Sequence, residues 1–348
     1  MSRVLIDMCH PAKVHFFLPI IHHLLEKNHE VTVTAKSKDV TLELLEEHSI
    51  PYIEIGEHHT SLLGKVAGLI QRNRELYRLM KRIRPDLAMG FASPYIAQIS
   101  FLNRIPCIMF CDTERAYLEN FASIPFSQYL VSPRCSGFKI KEQDLPIDGL
   151  FEQMYLSKQY FQPDKKAIEV LNLKNNDVYI VLRIVAWNAA HDTNPHFFTT
   201  DDIREFVKIL SDYGRVLISS EGGVPPDLQR YLLPSKPSEF HDVLAFSSLC
   251  ISEGAKTAAE AALLGIPSII MNSAEGGSLR VLEKAGLLSI LPDPQDALET
   301  SKNIIMNLTQ EKIEKQKSAV AFWNSHANIE RQIFHYIDEV LDKQNPRE

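Results

Sequence analysis

Residues 249–271 constrain the fold of this chain more than any other stretch. An apolar run at 249–252 leads into a polar turn with a glycine, an alanine-rich segment that stops at Gly265, and a second apolar run opened by Pro267. The pattern predicts a buried strand, a helix and a second buried strand, because glycine is favoured directly after a helix. Such a βαβ unit implies a parallel sheet with helices packed on its faces.

The start of the predicted helix is a candidate phosphate site. Free backbone N–H groups and the partial positive charge of a helix N-terminus lie there, at the carboxyl end of a parallel strand. Ala255, Ala258 and Ala259 are small enough to let the backbone approach a ligand closely. Glu260 lies roughly one to two turns into the helix, where a carboxylate can accept hydrogen bonds from sugar hydroxyls. The alternative is a purely structural βαβ unit in which Glu260 is solvated or capped.

The alternation of strands and helices runs through most of the chain. It begins at residues 4–8, lapses at about 148–164, and resumes at 178–182. Two such series predict two doubly wound α/β domains, which suits a length of 348 residues. Ligands are expected outside the carboxyl ends of the strands. The predicted domains are residues 1–155, joined by a terminal helix at 329–342, and residues 165–325.

Composition argues against several classes of function. The net charge is -7, whereas nucleic-acid-binding proteins usually carry an excess of Lys and Arg. No apolar run reaches the roughly 18 to 20 residues that span a bilayer, and the N-terminus lacks a signal-peptide pattern. The five cysteines include no C-x-x-C pair, so neither a zinc site nor a disulfide framework is predicted. We expect a cytoplasmic protein with no metal, no cofactor and no nucleic-acid partner.

Two polar turns of the first domain carry candidate catalytic side chains. His10 and His15 follow the first strand, and histidine titrates near neutral pH and can act as a general base. Asp112 and Glu114, beside Arg115, follow the fifth strand and can orient a hydroxyl group or exchange protons. Each turn also has a structural interpretation, with the histidines as ordinary turn and cap residues and Asp112 as a helix N-cap.

Two further turns follow strands of the second domain. Arg183, at the end of a strand, can neutralise a pyrophosphate through its forked N–H donors, or it can pair with a structural carboxylate. Glu221, Gly222 and Gly223 follow the next strand, where glycine lets the backbone approach a ligand closely. Together with the start of the alanine-rich helix, these turns outline a predicted ligand site.

Residues 65–84 form a predicted basic amphipathic helix. Seven Lys and Arg residues, Arg72 among them, are accompanied by a single acidic residue, Glu75, and apolar side chains line one side. Such a helix can contact anionic lipid or a lipid-linked phosphate acceptor. The alternative is an ordinary solvated face.

The motifs of the second domain resemble the GT-B fold, in which two Rossmann-like domains face each other across a cleft. This fold is shared by many nucleotide-sugar glycosyltransferases and by the non-hydrolysing UDP-N-acetylglucosamine 2-epimerases. The motifs that carry the resemblance are Ser252-Glu253-Gly254 through Glu260-Ala261, and Gly265-Ile266-Pro267. The motifs that are more particularly similar to one family of the superfamily, domain of unknown function 354, are Asp7-Met8-Cys9-His10-Pro11, Val14-His15-Phe16-Phe17 and Asp112-Thr113-Glu114.

The resemblance implies a nucleotide-sugar site in the second domain. It makes residues 252–256 the turn that binds the donor pyrophosphate and Glu260 the ribose ligand. The nucleotide base is read near His241 in this resemblance. The residues implied to bind the nucleotide sugar are Arg183, Glu221, Gly222, Gly223, His241, Ser252, Glu253, Gly254, Ala255, Lys256, Thr257, Glu260, Glu275 and Gly276.

Three functions are compatible with the resemblance. The leading one is a metal-independent glycosyltransferase that uses a UDP-sugar or another nucleotide sugar to build surface polysaccharide or glycolipid. Its acceptor is lipid-linked or a saccharide, and the basic helix at 65–84 places the protein at the inner face of the membrane. The second is an isomerase similar to the 2-epimerases, and the third is a non-catalytic nucleotide-sugar-binding protein.

Two departures from these families leave the reaction open. The epimerases carry a His-Glu-Ala-Gly stretch in their first domain, whereas this chain has Asp112-Thr113-Glu114-Arg115. The glycosyltransferases of peptidoglycan synthesis carry a glycine-rich first loop, whereas this chain has Cys9-His10-Pro11. Neither reaction therefore carries over whole.

Overall fold

The computed structural model divides the chain into two compact units. The first unit comprises Met1–Tyr160 and Asn328–Glu348, and the second comprises Phe161–Ala327. Each unit is built around a sheet whose described strand pairings are all parallel, which confirms the predicted α/β class. The residues that the structure describes are 1–8, 11–36, 40–56, 62–173, 177–185, 198–220, 222–272, 276–326 and 328–344.

The described part of the first unit holds a seven-stranded sheet. Its strands are β1 (Arg3–Met8), β2 (Glu30–Ala35), β3 (Ile53–Glu54), β4 (Leu87–Phe91), β5 (Cys107–Phe110), β6 (Tyr129–Pro133) and β7 (Leu145–Ile147). Its first six helices are α1 (Pro11–Glu26), α2 (Thr41–Glu47), α3 (Leu62–Ile83), α4 (Pro94–Asn103), α5 (Tyr117–Ser123) and α6 (Gln153–Leu156). In space the strands are ordered β3-β2-β1-β4-β5-β6-β7.

The described part of the second unit holds a five-stranded sheet. Its strands are β8 (Tyr179–Ile184), β9 (Arg215–Ser220), β10 (Leu249–Ser252), β11 (Ser268–Ile270) and β12 (Leu288–Ile290). Its helices are α7 (Lys166–Glu169), α8 (Thr200–Leu210), α9 (Phe240–Phe246), α10 (Ala255–Leu263), α11 (Gly277–Lys284), α12 (Pro294–Met306) and α13 (Leu308–Ser325). In space the strands are ordered β12-β11-β10-β8-β9.

Helix α14 (Ile329–Gln344) packs on the first unit. Asp338 on this helix accepts a hydrogen bond from Nζ of Lys27 at 2.6 Å and lies 3.1 Å from Nε2 of His23, both on or next to α1. The His23 ring stacks on the ring of Phe334 with a centroid separation of 4.3 Å. The last helix is thus held against α1 by charge and by ring stacking.

Each sheet reverses its direction of winding beside its first strand. In the first unit β1 lies between β2 and β4, and in the second unit β8 lies between β9 and β10. At such a point the loops that leave the two neighbouring strands diverge to opposite faces and open a crevice at the carboxyl edge, where ligands of doubly wound sheets bind. We therefore expect ligands at the loops that follow β1 and β4 in the first unit, and β8 and β10 in the second.

The stretch at residues 249–271 forms the predicted unit of β10, α10 and β11. Thr257 and the six residues after it are all buried, so small side chains are needed along this helix. Gly265 ends the unit's helix with a φ of +75°, and a Cβ on it would lie 3.2 Å from Cα of Gln316 on α13. Both the backbone conformation and the packing of α13 therefore favour glycine there.

A buried ion pair lies at the carboxyl end of β1. Nη2 of Arg72 on α3 donates to the carboxylate oxygens of Asp7 at 3.0 and 3.2 Å. The hydroxyls of Thr34 and Ser93 donate to the same carboxylate at 2.9 and 2.7 Å. The guanidinium carbon of Arg72 lies 4.3 Å from the centroid of the Tyr95 ring. The pair therefore joins β1, β2 and the start of α4 to α3.

The position of Arg72 corrects part of the predicted basic face at 65–84. The sequence pattern groups Arg72 with the solvated cations of that helix, whereas its side chain is only 4% exposed. The reason is helical spacing, because Arg72 lies on the same side of α3 as the buried residues Leu76 and Leu79. The other basic residues of this segment whose side chains are described are exposed: Arg74, Arg78, Lys81, Arg82 and Arg84.

Some elements have no clear pattern in the sequence. Strands β6 and β7 contain Pro133 and Pro146, and β7 lies at an edge of the sheet, where the missing N–H of proline is tolerated. Strand β12 is three residues long. In α13 the buried residues are Ala319 and Phe322, which is too few to give a helical hydrophobic period.

Replacing Arg72 by alanine should destabilise the protein by about 3–5 kcal/mol, because Asp7 would remain as an unpaired charge in the interior. Arg78→Ala on the exposed side of the same helix is the matched control and should leave stability nearly unchanged. Urea unfolding followed by circular dichroism measures both free energies. Equal values for the two variants would contradict a stabilising role for the buried pair.

Candidate functional site

Three polar residues at the carboxyl edge of the second sheet lie in one row. Arg183 on β8 is in register with Ser219 on β9 and Ser252 on β10, and residues in register on parallel strands project from the same face. Nη1 of Arg183 donates to Oγ of Ser219 at 2.7 Å. The guanidinium carbon lies 5.8 Å from the centroid of the Phe240 ring. The arginine is therefore held where this sheet reverses its winding.

The turn before α10 brings backbone N–H groups to the same edge. Oγ of Ser252 accepts a hydrogen bond from the N–H of Gly254 at 3.0 Å, and the N–H of Glu253 donates to the carbonyl of Arg183 at 3.0 Å. Gly254 is the N-cap residue and has no side chain that could cap the helix. The N–H groups of residues 255–257 have no acceptor within the helix itself. With the helix dipole, they give this turn a positive potential suited to an anion.

Glu253 directs its side chain to the backbone. Its Oε2 accepts a hydrogen bond from the N–H of Val185 at 2.9 Å. Burial raises the pKa of Glu253 above its ordinary value, and hydrogen bonds from the backbone of Val185 and Phe198 oppose that shift. An ionised carboxylate would repel a phosphate, and the backbone N–H of Glu253 already donates to the carbonyl of Arg183, so a contribution of Glu253 to phosphate binding stays a prediction. The Glu253 carboxylate thus links Val185 and Phe198, the residues on either side of the segment 186–197.

The predicted ribose ligand Glu260 is paired with another predicted residue. Nε2 of His241 on α9 lies 3.2 Å from Oε1 of Glu260 on α10, and the two side chains are 8% and 7% exposed. Burial raises the pKa of the nearby Cys250 thiol, the charge of Glu260 raises it further, and the charge of Arg183 lowers it. Arg183 and Glu260 therefore both act on this thiol, and the Arg183 guanidinium lies 5.8 Å from the centroid of the Phe240 ring, next to His241. The ribose role of Glu260 stays a prediction, and a ligand hydroxyl would share this carboxylate with His241.

Further glycine turns lie at the same edge of the sheet. Gly222 and Gly223 follow β9, and the φ of Gly223 is +79°. Gly276 is the N-cap residue of α11, which begins after β11. Nδ2 of Asn272 donates to the carbonyl of Glu253 at 3.4 Å, so the loop after β11 is joined to the turn before α10. The predicted binding residues that the structure describes are thus distributed along the carboxyl ends of β8 to β11.

In the first unit, Asp112 and Glu114 lie in the loop between β5 and α5. Oγ1 of Thr113 donates to Oδ1 of Asp112 at 2.9 Å, and Nδ2 of Asn120 donates to the carbonyl of Thr113 at 2.9 Å. Both carboxylates are half-buried. The N-cap residue of α5 is Ala116, so the interpretation of Asp112 as a helix N-cap is wrong. The loop presents two carboxylates at the carboxyl edge of the first sheet.

His15 lies in the first turns of α1. The centroid of its ring is 5.9 Å from the ring centroids of both His48 and Tyr155. Burial lowers the pKa of His48 below its ordinary value, a nearby glutamate raises it and His22 lowers it. His15 itself is half-buried.

Lys13 is a further candidate beside the Asp112 loop. Its Nζ lies 3.2 Å from the centroid of the Phe91 ring at the end of β4. Burial raises the pKa of Cys111 to about 12, the charge of Asp112 raises it further, and the charge of Lys13 lowers it. Lys13 and Asp112 therefore lie near the same strand end. Lys13 could have been singled out from the sequence, because it lies between His10 and His15 in the first polar turn. Ser219 could not, because its contact with Arg183 depends on strand register, which no local sequence pattern shows.

Three of the predicted site residues, His10, Glu221 and Glu275, lie outside the described residues. Among the residues that are described, no group of three or more His, Cys, Asp or Glu side chains is placed to hold a metal ion. Within that same part of the chain, no helix has the length and apolarity needed to cross a membrane.

Comparison with protein families identifies the group to which these motifs belong. The model of the family described as "Protein of unknown function (DUF354)" matches residues 2–319. The chain belongs to the DUF354 family. A relative of this DUF354 protein is the uncharacterized protein MJ0665 of Methanocaldococcus jannaschii, which is 24% identical over 277 residues, covering 76% of this chain and 80% of the relative.

Solved structures of similar architecture include an epimerase and a glycosyltransferase. UDP-GlcNAc 2-epimerase from Neisseria meningitidis, bound to UDP-GlcNAc, aligns with a TM-score of 0.67 and 13% identity over 98% of this chain and 100% of that chain. The spinosyn rhamnosyltransferase SpnG, complexed with spinosyn aglycone, aligns with a TM-score of 0.59 and 13% identity over 92% of this chain and 97% of that chain. The predicted GT-B fold is confirmed for this DUF354 protein.

Glu253→Gln should change the pH dependence of stability. A carboxyl group with a raised pKa in the folded protein stabilises it fully below the ordinary pKa of about 4.5, and this contribution is lost as pH rises through the folded pKa. The glutamine variant cannot ionise, so its stability relative to the wild type should increase as pH rises above about 4.5. Urea unfolding at several pH values measures the difference.

Glu299→Gln, on an exposed position of α12, is the control and should follow the wild type at every pH. A stability difference between Glu253→Gln and wild type that stays constant or moves the opposite way would contradict the raised pKa.

Proposed function

We propose that this protein is a glycosyltransferase whose donor is a nucleoside-diphosphate sugar and whose reaction needs no metal ion. One observation carries the proposal. Arg183 at the end of β8 is in register with Ser252, just before the amino end of α10, its guanidinium lies 5.8 Å from the centroid of the Phe240 ring on α9, and α9 and α10 are joined by the His241–Glu260 pair. A nucleotide sugar carries a diphosphate beside a ribose. The diphosphate needs hydrogen-bond donors, which Arg183 and the start of α10 supply, and the ribose hydroxyls need an acceptor, which Glu260 supplies.

The second unit binds the donor and stabilises its leaving group. The guanidinium of Arg183 and the first-turn N–H groups of α10 donate to diphosphate oxygens. When the bond between the anomeric carbon and the diphosphate oxygen breaks, negative charge increases on the nucleoside diphosphate. Donors that are already in position stabilise this charge in the transition state without reorganising. Glu260 accepts hydrogen bonds from the ribose, and His241 orients its carboxylate.

The first unit supplies the acceptor chemistry. The new bond joins the anomeric carbon to an acceptor oxygen, and the proton of that hydroxyl passes to a general base. His15 or His10 is the base, and Asp112 or Glu114 positions the hydroxyl. The acceptor is a saccharide or a lipid-linked hydroxyl of surface polysaccharide or glycolipid synthesis. Two solved structures of this fold support a pyrimidine nucleotide, since one holds UDP-GlcNAc and another thymidine diphosphate.

A nucleotide-sugar epimerase is the second candidate. The observation that favours it is the pair of carboxylates, Asp112 and Glu114, in one loop at the carboxyl edge of the first sheet. Carboxylates there can remove and return the proton on the sugar carbon next to the anomeric centre. The donor site in the second unit serves either reaction equally.

Purified protein should release nucleoside diphosphate from at least one member of a panel of UDP-, GDP- and dTDP-sugars offered with saccharide and lipid-linked acceptors. Chromatography of the nucleotide products measures this release. Neither transfer nor donor hydrolysis across the panel would count against glycosyl transfer. Deuterium on the sugar carbon after incubation of UDP-GlcNAc in deuterated water would assign the epimerase reaction instead.

Variants separate binding from chemistry. Arg183→Ala should weaken donor binding about tenfold or more, because it removes a charged hydrogen-bond donor. Asp112→Asn should leave donor binding intact and lower kcat, and Glu299→Ala should change neither quantity. Donor binding by the wild type without any turnover would assign a non-catalytic binding protein.

A further inference from the structure

Helix α5 exposes an unusual amount of apolar surface. Tyr117, Leu118 and Phe121 are 74%, 82% and 79% exposed. Their spacing places all three on one face of the helix. Single exposed apolar residues are ordinary, but a contiguous group of large ones marks an interaction surface.

The apolar group continues onto the end of α4. Phe101 and Leu102 are 59% and 67% exposed. The two helices are joined because Nε2 of Gln98 on α4 donates to the carbonyl of Ala122 on α5 at 2.9 Å. The Phe101 ring also lies edge-on to Phe126, just after α5, with a centroid separation of 5.7 Å. We call the five exposed residues the apolar patch: Tyr117, Leu118, Phe121, Phe101 and Leu102.

Exposed cations lie beside this patch. Helix α3 packs against α4, and a groove of about 500 Å³ is lined by Asn73, Arg74, Tyr77 and Arg78 of α3 and Ile99 of α4. Among the described residues no carboxylate forms an ion pair with the six exposed cations that we call the basic rim. The basic rim is Arg74, Arg78, Lys81, Arg82, Arg84 and Arg104.

The charge of this face differs from that of the whole protein. The chain has a net charge of -7, whereas residues 71–104 contain seven basic and two acidic residues. One of the seven, Arg72, is neutralised inside the unit by Asp7. Of the remaining cations, four lie on α3, Arg84 directly follows that helix, and Arg104 lies at the end of α4. Such a surface is complementary to a partner that is both anionic and apolar.

We propose that the apolar patch and the basic rim together bind the surface of an anionic lipid bilayer. The aromatic and leucine side chains enter the boundary between headgroups and acyl chains, and the basic rim binds headgroup phosphates. The sequence pattern indicates only the basic helix as a membrane-binding surface. The structure adds the apolar side chains of α4 and α5 to this surface and excludes Arg72 from it, because Arg72 is buried. Binding to the bilayer requires neither the nucleotide-sugar donor nor turnover, so it can be tested independently of the proposed reaction.

Flotation with phospholipid vesicles tests the proposal. The full-length protein should bind vesicles of phosphatidylcholine mixed with phosphatidylglycerol and should bind vesicles of phosphatidylcholine alone far more weakly. High salt should weaken the binding, because headgroup charges are screened. Absence of binding to the mixed vesicles at low salt, or equal binding to both compositions, would overturn the proposal.

Paired variants locate the surface. Leu118→Ser with Phe121→Ser should weaken vesicle binding about tenfold or more. Arg78→Ala with Arg82→Ala should weaken it about fivefold for each cation removed. The apolar control is Met306→Ser with Val320→Ser, two exposed residues of the second unit, and the basic control is Lys208→Ala with Lys317→Ala. Equal losses in the controls would contradict the assignment.

Sedimentation equilibrium distinguishes a protein partner. The proposal predicts that wild type and Leu118→Ser with Phe121→Ser have the same oligomeric state without lipid. A dimer that this double variant dissociates, together with no vesicle binding by the wild type, would assign the patch to a second copy of the chain.

Discussion

The register of the parallel strands positions the charged groups on which the site of the second unit depends. Because β8 lies between β9 and β10, Arg183 is placed beside Ser219 and Ser252, and the turn after β10 brings the amino end of α10 to the same edge. The cation and the helix dipole are therefore fixed by the sheet itself. A diphosphate bound there would meet donors that are already oriented, which is the condition for electrostatic stabilisation of a leaving group.

In the first unit, a buried ion pair lies at the point where the sheet reverses its winding. Asp7 and Arg72 form their buried pair at the end of β1, and Gly90 on β4 is in register with Asp7. A Cβ on Gly90 would lie 2.4 Å from Cγ2 of Ile96, so α4 can pack closely on β4 only with glycine there. The two units thus present different chemistry at equivalent places, with the proposed diphosphate site in one and an internally neutralised edge with nearby carboxylates in the other.

The sequence predicts helices and strands well where the hydrophobic period and the position of glycine indicate the same boundaries. It predicts poorly which side chains contact each other in the folded protein. Residues 249–271 form the expected unit because burial, small side chains and Gly265 all favour it. Arg72 was misplaced because a buried arginine and a solvated one have the same helical spacing. The pairing of His241 with Glu260 joins two different helices, and the exposure of Leu118 depends on what packs against α5. Such facts are set by tertiary packing, which local patterns do not contain.

The central claim is that a nucleotide-sugar diphosphate binds between Arg183 and the amino end of α10. A crystal structure of the protein soaked with UDP-sugars tests it most directly. We expect diphosphate oxygens within hydrogen-bond distance of the Arg183 guanidinium and of the N–H groups of residues 255–257, with the ribose beside Glu260. A nucleotide bound at another edge of either sheet, with this turn unoccupied, would contradict it.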